Sequence, residues 1–189
     1  MADVSVRPAR RDDADAIAAI QIGVWRLAFS DLLPAPVLAL TPAQIAPNWR
    51  QAITDAPSPR HRVLVALEGS DIVGFAAVAP PPDDEPAVEE VSLLLGPILV
   101  EPRWGRRGHG SRLLAAVVDT AREAGVARLL SWLAESDKVS QAFLTGAGWQ
   151  IDGYARGLAT DDGEIREIRL HTALPEPEPA PTAAGGDAT

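Results

Sequence analysis

The sequence predicts an α/β fold of the α+β, three-layer kind: a mixed, largely antiparallel sheet of about seven strands flanked by about four helices, with a splayed central strand. Three observations lead there. β-Rich runs alternate with stretches of helical spacing, and two pairs of runs are joined by the short polar turns Glu68-Gly-Ser-Asp71 and Asp161-Asp-Gly163, which make antiparallel hairpins. The run Val91 to Leu95, apolar except for Ser92, reads as a central strand buried on both faces. That strand continues into Gly96-Pro97, and because proline cannot donate to a ladder, it must bulge there or part from a neighbour.

Val4-Ser-Val-Arg7 alternates and suits a first strand, after which Asp12 or Asp13 can cap a helix from Ala14 to about Ser30. Along this helix Ile17, Ile20, Val24 and Leu27 form one apolar stripe, and Ala18, Ile22, Trp25 and Phe29 form another nearly opposite. One can lie on the sheet; the other must meet a second helix, a partner or a ligand. Pro34 and Pro36 mark a break, and Thr41-Pro42 opens a second helix through Trp49 to Ile53. Arg62–Leu67 and Ile72–Val78 form the first hairpin, Pro80 to Pro86 a proline-rich acidic loop, and Glu89–Val100 the fourth strand.

A helix from Arg112 to Ala124 is stopped by Gly125, and Ala127–Leu133 is a fifth strand. Ser136 caps a short helix carrying Val139, Ala142 and Phe143, and Trp149–Leu158 with Ile165–His171 form the last hairpin. The tail from Pro175, Pro-Glu repeats followed by Ala and Gly, cannot bury enough surface to order itself. The organisation expected is a single domain over 1–174 and a disordered tail over 175–189.

The net charge of −9 includes three acids and no base in the last fifteen residues, which leaves −6 on the body. That balance argues against nucleic acid as a partner, since phosphate backbones need a clustered basic face. With no cysteine there are no disulfides, thiolate metal sites or thiol nucleophiles. His61 and His171 fall at strand positions without metal-ligand spacing and read as structural. No apolar run approaches the roughly 20 residues that span a bilayer, and the start has no basic region followed by an apolar stretch, so the chain reads as soluble and cytoplasmic, with no membrane partner.

The stretch Ile98-Leu-Val-Glu-Pro-Arg-Trp-Gly-Arg-Arg-Gly-His-Gly-Ser111 is strand, glycine-rich turn and helix start. Glycines 105, 108 and 110 let the backbone curl, and Leu113, Leu114, Val117, Val118 and Ala121 then share one helical face. The first amides of a helix have no internal partners and carry the positive end of its dipole, and Arg103, Arg106, Arg107 and Arg112 add charge, so a phosphorylated cofactor is expected. Ser111-Arg112 after Gly110 is not the Lys-Ser/Thr of a nucleotide-hydrolysing loop, and Leu113 stands where a dinucleotide fingerprint needs its last glycine. His109, between glycines, reads as a solvated turn residue whose backbone amide matters more than its ring.

What remains, Arg107-Gly108-His109-Gly110-Ser111-Arg112-Leu113-Leu114 preceded by Leu99-Val100-Glu101-Pro102, resembles the acetyl-CoA loop of the GCN5-related N-acetyltransferase (GNAT) superfamily, usually written Gln/Arg-x-x-Gly-x-Gly/Ala. Gly105 stands in its first position. The order of elements resembles the family from Val4 to about Leu174; Gly146-Ala-Gly148-Trp149 is similar to its Leu-Gly-Phe, and Asp152-Gly153-x-x-Arg156 with Glu167-x-Arg169-Leu170 resembles a bacterial branch.

This resemblance implies acetyl-CoA as co-substrate, no metal, and a small-molecule or peptide amine as acceptor that attacks the thioester. A homodimer is compatible with it. The cofactor residues implied are Ile98, Leu99, Val100, Arg103, Gly105, Arg106, Arg107, Gly108, His109, Gly110, Ser111, Arg112, Asp137 and Phe143. A strand that parts at Gly96-Pro97 would leave backbone groups near Ile98 to Val100 free for the pantetheine arm and for the developing oxyanion. A carboxylate at the start of the fourth strand, Glu89 or Glu90, is implied as base; successive strand positions face opposite sides, so only one can look into the site. Leu144 stands where the family often has a tyrosine acid and Leu94 where many relatives have a glutamate; Tyr154, the only tyrosine, is the remaining candidate acid. Trp25 and Phe29 can wall an acceptor pocket. A non-catalytic acyl-CoA binder or sensor and a nucleotide-binding module are the rival readings.

Overall fold

The computed structural model of the protein describes residues 4–86, 91–160 and 163–174. The β-rich runs form β1 (Val4–Pro8), β2 (Arg62–Glu68), β3 (Asp71–Ala79), β4 (Ser92–Val100), β5 (Arg128–Ala134), β6 (Gln150–Thr160) and β7 (Gly163–Ala173). They make one sheet in the order β1-β2-β3-β4-β5-β7-β6, antiparallel except where β4 meets β5. The helices are α1 (Ala14–Ala28), α2 (Ala35–Leu38), α3 (Pro42–Thr54), α4 (His109–Glu123) and α5 (Lys138–Gly146). α4 supplies the crossover that a parallel pair requires.

The alternation of strand side chains sorts the helices into two outer layers. On one face Val65, Phe75 and Leu99 receive Ile17, Ile20 and Val24 of α1. On the other, Leu64, Ala66, Val73, Leu93 and Leu129 receive Leu113, Leu114, Val117 and Ala121 of α4, together with Leu144 of α5. The second stripe of α1 meets α3, where Ala18 and Ile22 pack on Ile45 and Ala46. Trp49 of α3 closes the seam: its indole N–H donates to Gln21 Oε1 at 2.6 Å and its ring meets Phe75 edge-on at 5.0 Å.

Some local expectations change. Leu27 lies in the last turn of α1 and is left 68% exposed. The proline-marked break contains the extra short helix α2; the carbonyls of Leu38 at its end and of Leu40 just beyond it accept from the Arg26 guanidinium at 3.1 and 2.7 Å. Residues 11–13 form a 3₁₀ turn, and the Asp13 carboxylate does not cap α1 but accepts from Arg7 and from the Arg10 amide, both at 2.6 Å. Helix α5 is capped by Asp137, which accepts from the Ser140 amide at 3.0 Å, rather than by Ser136. Its buried residue is Leu144; Val139 is 82% exposed.

The central strand carries the distortion its sequence requires. β3 pairs with β4 at Val78↔Leu95 and at Ala76↔Ile98, so Gly96 and Pro97 stand opposite Ala77 alone, a bulge. β4 pairs with β5 only over Ser92–Leu94 and Arg128–Leu130. Beyond that point β4 stays with β3 as far as Val100↔Gly74, and β5 stays with β7 as far as Ala134↔Glu167. Where they part, the buried Ser131 hydroxyl donates to the Leu95 carbonyl at 3.1 Å.

The far end of this arm is tied to β3 by close approach. A Cβ added at Gly74 would stand 2.8 Å from the Leu99 carbonyl oxygen and 3.3 Å from Leu113 Cδ1. Gly74→Ala should therefore lower stability by about 1–3 kcal/mol, read as an earlier urea midpoint; an unchanged midpoint would contradict the tight β3–β4–α4 seam. The hydrogen bond from Arg7 holds the Asp13 carboxyl below the usual carboxylate range, against the opposing effect of burial. A depressed folded-state pKa contributes stability above the unfolded value near 3.9, lost as pH falls through the lower folded value. The stability gap between the wild type and Asp13→Asn should be constant near neutrality and shrink below about pH 4, as urea titrations at each pH would show.

Candidate functional site

The parting of β4 from β5 opens two clefts that share Ile98 and Ser140. The first, about 410 Å³, runs along the glycine-rich turn past Val100, Trp104, Gly105, Arg106, Gly108 and the start of α4, with Phe143 of α5 opposite. The second, about 300 Å³, extends from Gly96–Leu99 toward Trp25 and Phe29 of α1 and its following loop, Trp132–Ala134 of β5, and the β6–β7 hairpin.

Backbone polarity at their junction follows from the ladder. The Glu101 amide donates to the Val73 carbonyl at 2.8 Å, so in the antiparallel β3–β4 register Leu99 also turns its peptide groups to β3. By alternation Ile98 and Val100 direct theirs to the opposite side, where β5 has already left. The sheet thus presents main-chain donors and acceptors to the clefts instead of to a neighbouring strand.

At the other end of the first cleft, Gly108 is the N-cap of α4 with φ of 83° and offers no side-chain cap. The amides of His109, Gly110 and Ser111 therefore open toward whatever the turn encloses. Gly110 packs closely under Phe143, whose ring atoms would lie 3.5 Å from an added Cβ. The turn is strained at a residue expected to supply charge rather than the curl: Arg106 has φ of 61°, whereas Gly105 adopts an ordinary extended conformation with φ of −59°. The expected curl at Gly105 is taken by Arg106.

The arginines surround the cleft. Arg106, Arg107 and Arg112 are exposed, and Arg112 donates to the Arg107 carbonyl at 2.9 Å. Arg103 pairs with Glu101 at 2.7 Å, and Arg103 and Arg107 lie 5.8 and 4.8 Å from the centre of the Trp104 ring. The reading of His109 as solvated is corrected: it is 1% exposed, its Nε2 lies 2.8 Å from Glu68 Oε2, and its ring stands edge-on to Trp104. Glu68, on β2, also meets Arg107 at 3.3 Å. Sequence reasoning missed Glu68 because it lies 41 residues away, at the end of β2.

Trp25 and Phe29 both line the second cleft, as does Asp137. Tyr154 is not brought there: it is 38% exposed on β6, lines neither cleft, and its ring lies 4.2 Å from the Arg169 guanidinium. Leu144, in the position considered for an acid, lines the second cleft and is 1% exposed. Glu89 and Glu90 lie outside the described residues. The motif pairs on the last hairpin do meet, Arg169 with Asp152 and Arg156 with Glu167, each at 2.7 Å. His61 bonds Ser58 and His171 bonds Arg128; among the described residues no three His, Cys, Asp or Glu gather as a metal site would need. No helix among them is long and apolar enough to cross a membrane.

A sheet parted around a bulged strand, with a capless glycine-arginine turn at the adjacent helix, suits a long ligand that carries both amide groups and phosphate. Comparison with known proteins agrees. The family model described as "Acetyltransferase (GNAT) family" matches residues 26–149, and the chain belongs to that family. A mycothiol acetyltransferase of Thermomonospora curvata is 39% identical over 105 residues, 51% of this chain; the match spans only 33% of that relative's length. Among solved structures, a ribosomal-protein-alanine N-acetyltransferase from Brucella melitensis aligns with a TM-score of 0.72 and 22% identity, over 90% of this chain and 99% of that one. The Thermoplasma acidophilum paia N-acetyltransferase, in complex with coenzyme A, aligns at 0.71 and 12%, over 90% and 99%.

The buried His109–Glu68 contact makes a prediction opposite to that for a solvated histidine. His109→Ala should lower stability by about 1–3 kcal/mol by leaving a cavity and removing one of the two partners of the Glu68 carboxylate. A thermal midpoint unchanged from wild type would contradict the buried contact.

Proposed function

We propose that this chain transfers an acetyl group from acetyl-CoA to a primary amine by direct attack on the thioester. The observation that carries the reading is the pair of open main-chain surfaces, Ile98 with Val100 on β4 and His109–Ser111 at the mouth of α4, along one continuous cleft. An extended pantetheine bears amides that suit the first, a pyrophosphate suits the second, and Gly108 leaves the backbone accessible between them. Family membership and the likeness to N-acetyltransferases support the choice of acetyl-CoA.

Bound acetyl-CoA would supply an activated acetyl carbonyl near the junction of the two clefts. The amine nitrogen forms its bond to that carbon from the second cleft, the carbon–sulfur bond breaks, the thiolate leaves with the electron pair, and the amine gives up a proton. The backbone amide of Ile98 or Val100 is the donor for charge developing on the carbonyl oxygen, a role that needs no particular side chain. Asp137 and Glu167 are carboxylates lining the acceptor cleft, and Glu89 and Glu90, the candidates for proton acceptance taken from the sequence, lie outside the described residues. Leu144 has no proton to give, so water or another group must protonate the thiolate.

A second reading, a non-catalytic acyl-CoA binder, is favoured by that same Leu144. The test is calorimetric binding of acetyl-CoA followed by release of CoA thiol in the presence of amines. Amine-dependent release supports transfer, saturable binding without release across an amine panel selects the binder, and absence of binding removes both. Gly108→Val, which forces a β-branched residue to φ of 83°, should weaken acetyl-CoA binding by about tenfold or more; undiminished affinity would contradict the role given to the turn.

A further inference from the structure

The second cleft has a chemistry narrow enough to name its occupant. Resting on the acetyl-transfer reading, we propose that the acceptor is a compact primary amine with an aromatic or branched aliphatic body and no carboxylate. The walls are Trp25, Phe29 and Leu33 on one side and Trp132, Leu158 and Ile165 on the other. Trp132 spends its N–H on Glu85, at 3.1 and 3.2 Å from the two carboxylate oxygens, and so offers the cleft ring surface rather than a donor. Leu144 adds another apolar side chain where a hydroxyl would have served a polar ligand. At about 300 Å³ the space is at the small end for ligand sites and matches a body of one ring or a short branched chain.

Charge narrows the class further. Among the described residues that line the cleft, the only ionisable ones are Asp137 and Glu167. The adjacent cation, Arg156, is already engaged: its Nε donates to Glu167 at 2.7 Å and its guanidinium lies 4.4 Å from the centre of the Trp132 ring. An incoming ammonium is attracted by Asp137 and can share Glu167 with Arg156, whereas a carboxylate on the acceptor meets no uncommitted cation among the lining residues. A polyhydroxylated body would bring more hydroxyls than the few polar groups among these mostly apolar walls can bond, at a cost for each one buried unpaired. Ile98, shared with the cofactor cleft, marks where the amino group must reach, so the apolar body extends away toward Trp25 and Phe29.

The experiment measures CoA release by the full chain with 2-phenylethylamine, isoamylamine, glucosamine, spermidine and glutamate, alongside calorimetric binding of acetyl-CoA. The expected result is kcat/KM at least about tenfold higher for the two apolar amines than for the other three. Trp25→Ala and Phe29→Ala should each raise KM for 2-phenylethylamine about tenfold while acetyl-CoA affinity stays at the wild-type value. Glucosamine, spermidine or glutamate used as well as the apolar amines would overturn this assignment and leave acetyl transfer standing. Binding of acetyl-CoA with neither apolar amine turned over also overturns it, and failure to bind acetyl-CoA removes the underlying reading with it.

Discussion

Everything at the site depends on two residues that spoil a strand. Gly96 and Pro97 stand against the single residue Ala77, and β4, in register with β5 for three residues, leaves it for the rest of its length. A buried strand edge with unpaired peptide groups is costly unless something occupies it, and here that cost is confined to the segment where a ligand can reach. The surroundings fix the opening in place. Ser131 holds the Leu95 carbonyl at the fork, Gly74 lets β3 press against Leu99, and β5 keeps its full pairing with β7.

The wall of the second cleft is held by a buried ionic network rather than by more core. Arg169 is 2% exposed in its side chain and is bound by Glu85 at 2.6 Å, by Asp152 at 2.7 Å and by the Pro86 carbonyl at 2.6 Å. Glu85 also receives the Trp132 indole. One arginine therefore ties the acidic proline-rich loop, β6 and the aromatic wall of the cleft to β7. A buried charge so enclosed tolerates loss of a partner poorly, because the remaining charge is left desolvated. Its value lies in fixing geometry, since the same volume of apolar side chains would stabilise the hairpin without dictating where Trp132 points.

The sequence revealed most of the fold because its strongest signals were local. The two stripes of α1 demanded two coverings and found the sheet and α3; Gly-Pro inside a buried strand demanded a bulge and produced one. Side-chain roles that depend on distant partners were not legible. Nothing near His109 announces Glu68, so a residue between glycines looked solvated when it is buried. The curl expected of Gly105, Gly108 and Gly110 is carried by Gly108 and by Arg106, while Gly105, directly after the 3₁₀ turn from Pro102 to Trp104, stays extended. Tyr154 was singled out for being the one tyrosine, and the hairpin carries it to the outside against Arg169. The aromatic wall at Trp132 and the cleft residues Leu158 and Ile165 gave no sign, since strand alternation alone does not say which strand faces a void.

The central claim is that the peptide groups of Ile98 and Val100 face an opening and are completed by coenzyme A. Residue-resolved amide hydrogen exchange, with and without saturating coenzyme A, tests it most directly. The account predicts that Ile98 and Val100 exchange quickly in the free protein and are slowed by coenzyme A, while Leu99, paired with β3, is protected in both states. Equal protection of all three amides before coenzyme A is added, or no change at Ile98 and Val100 on saturation, would contradict it.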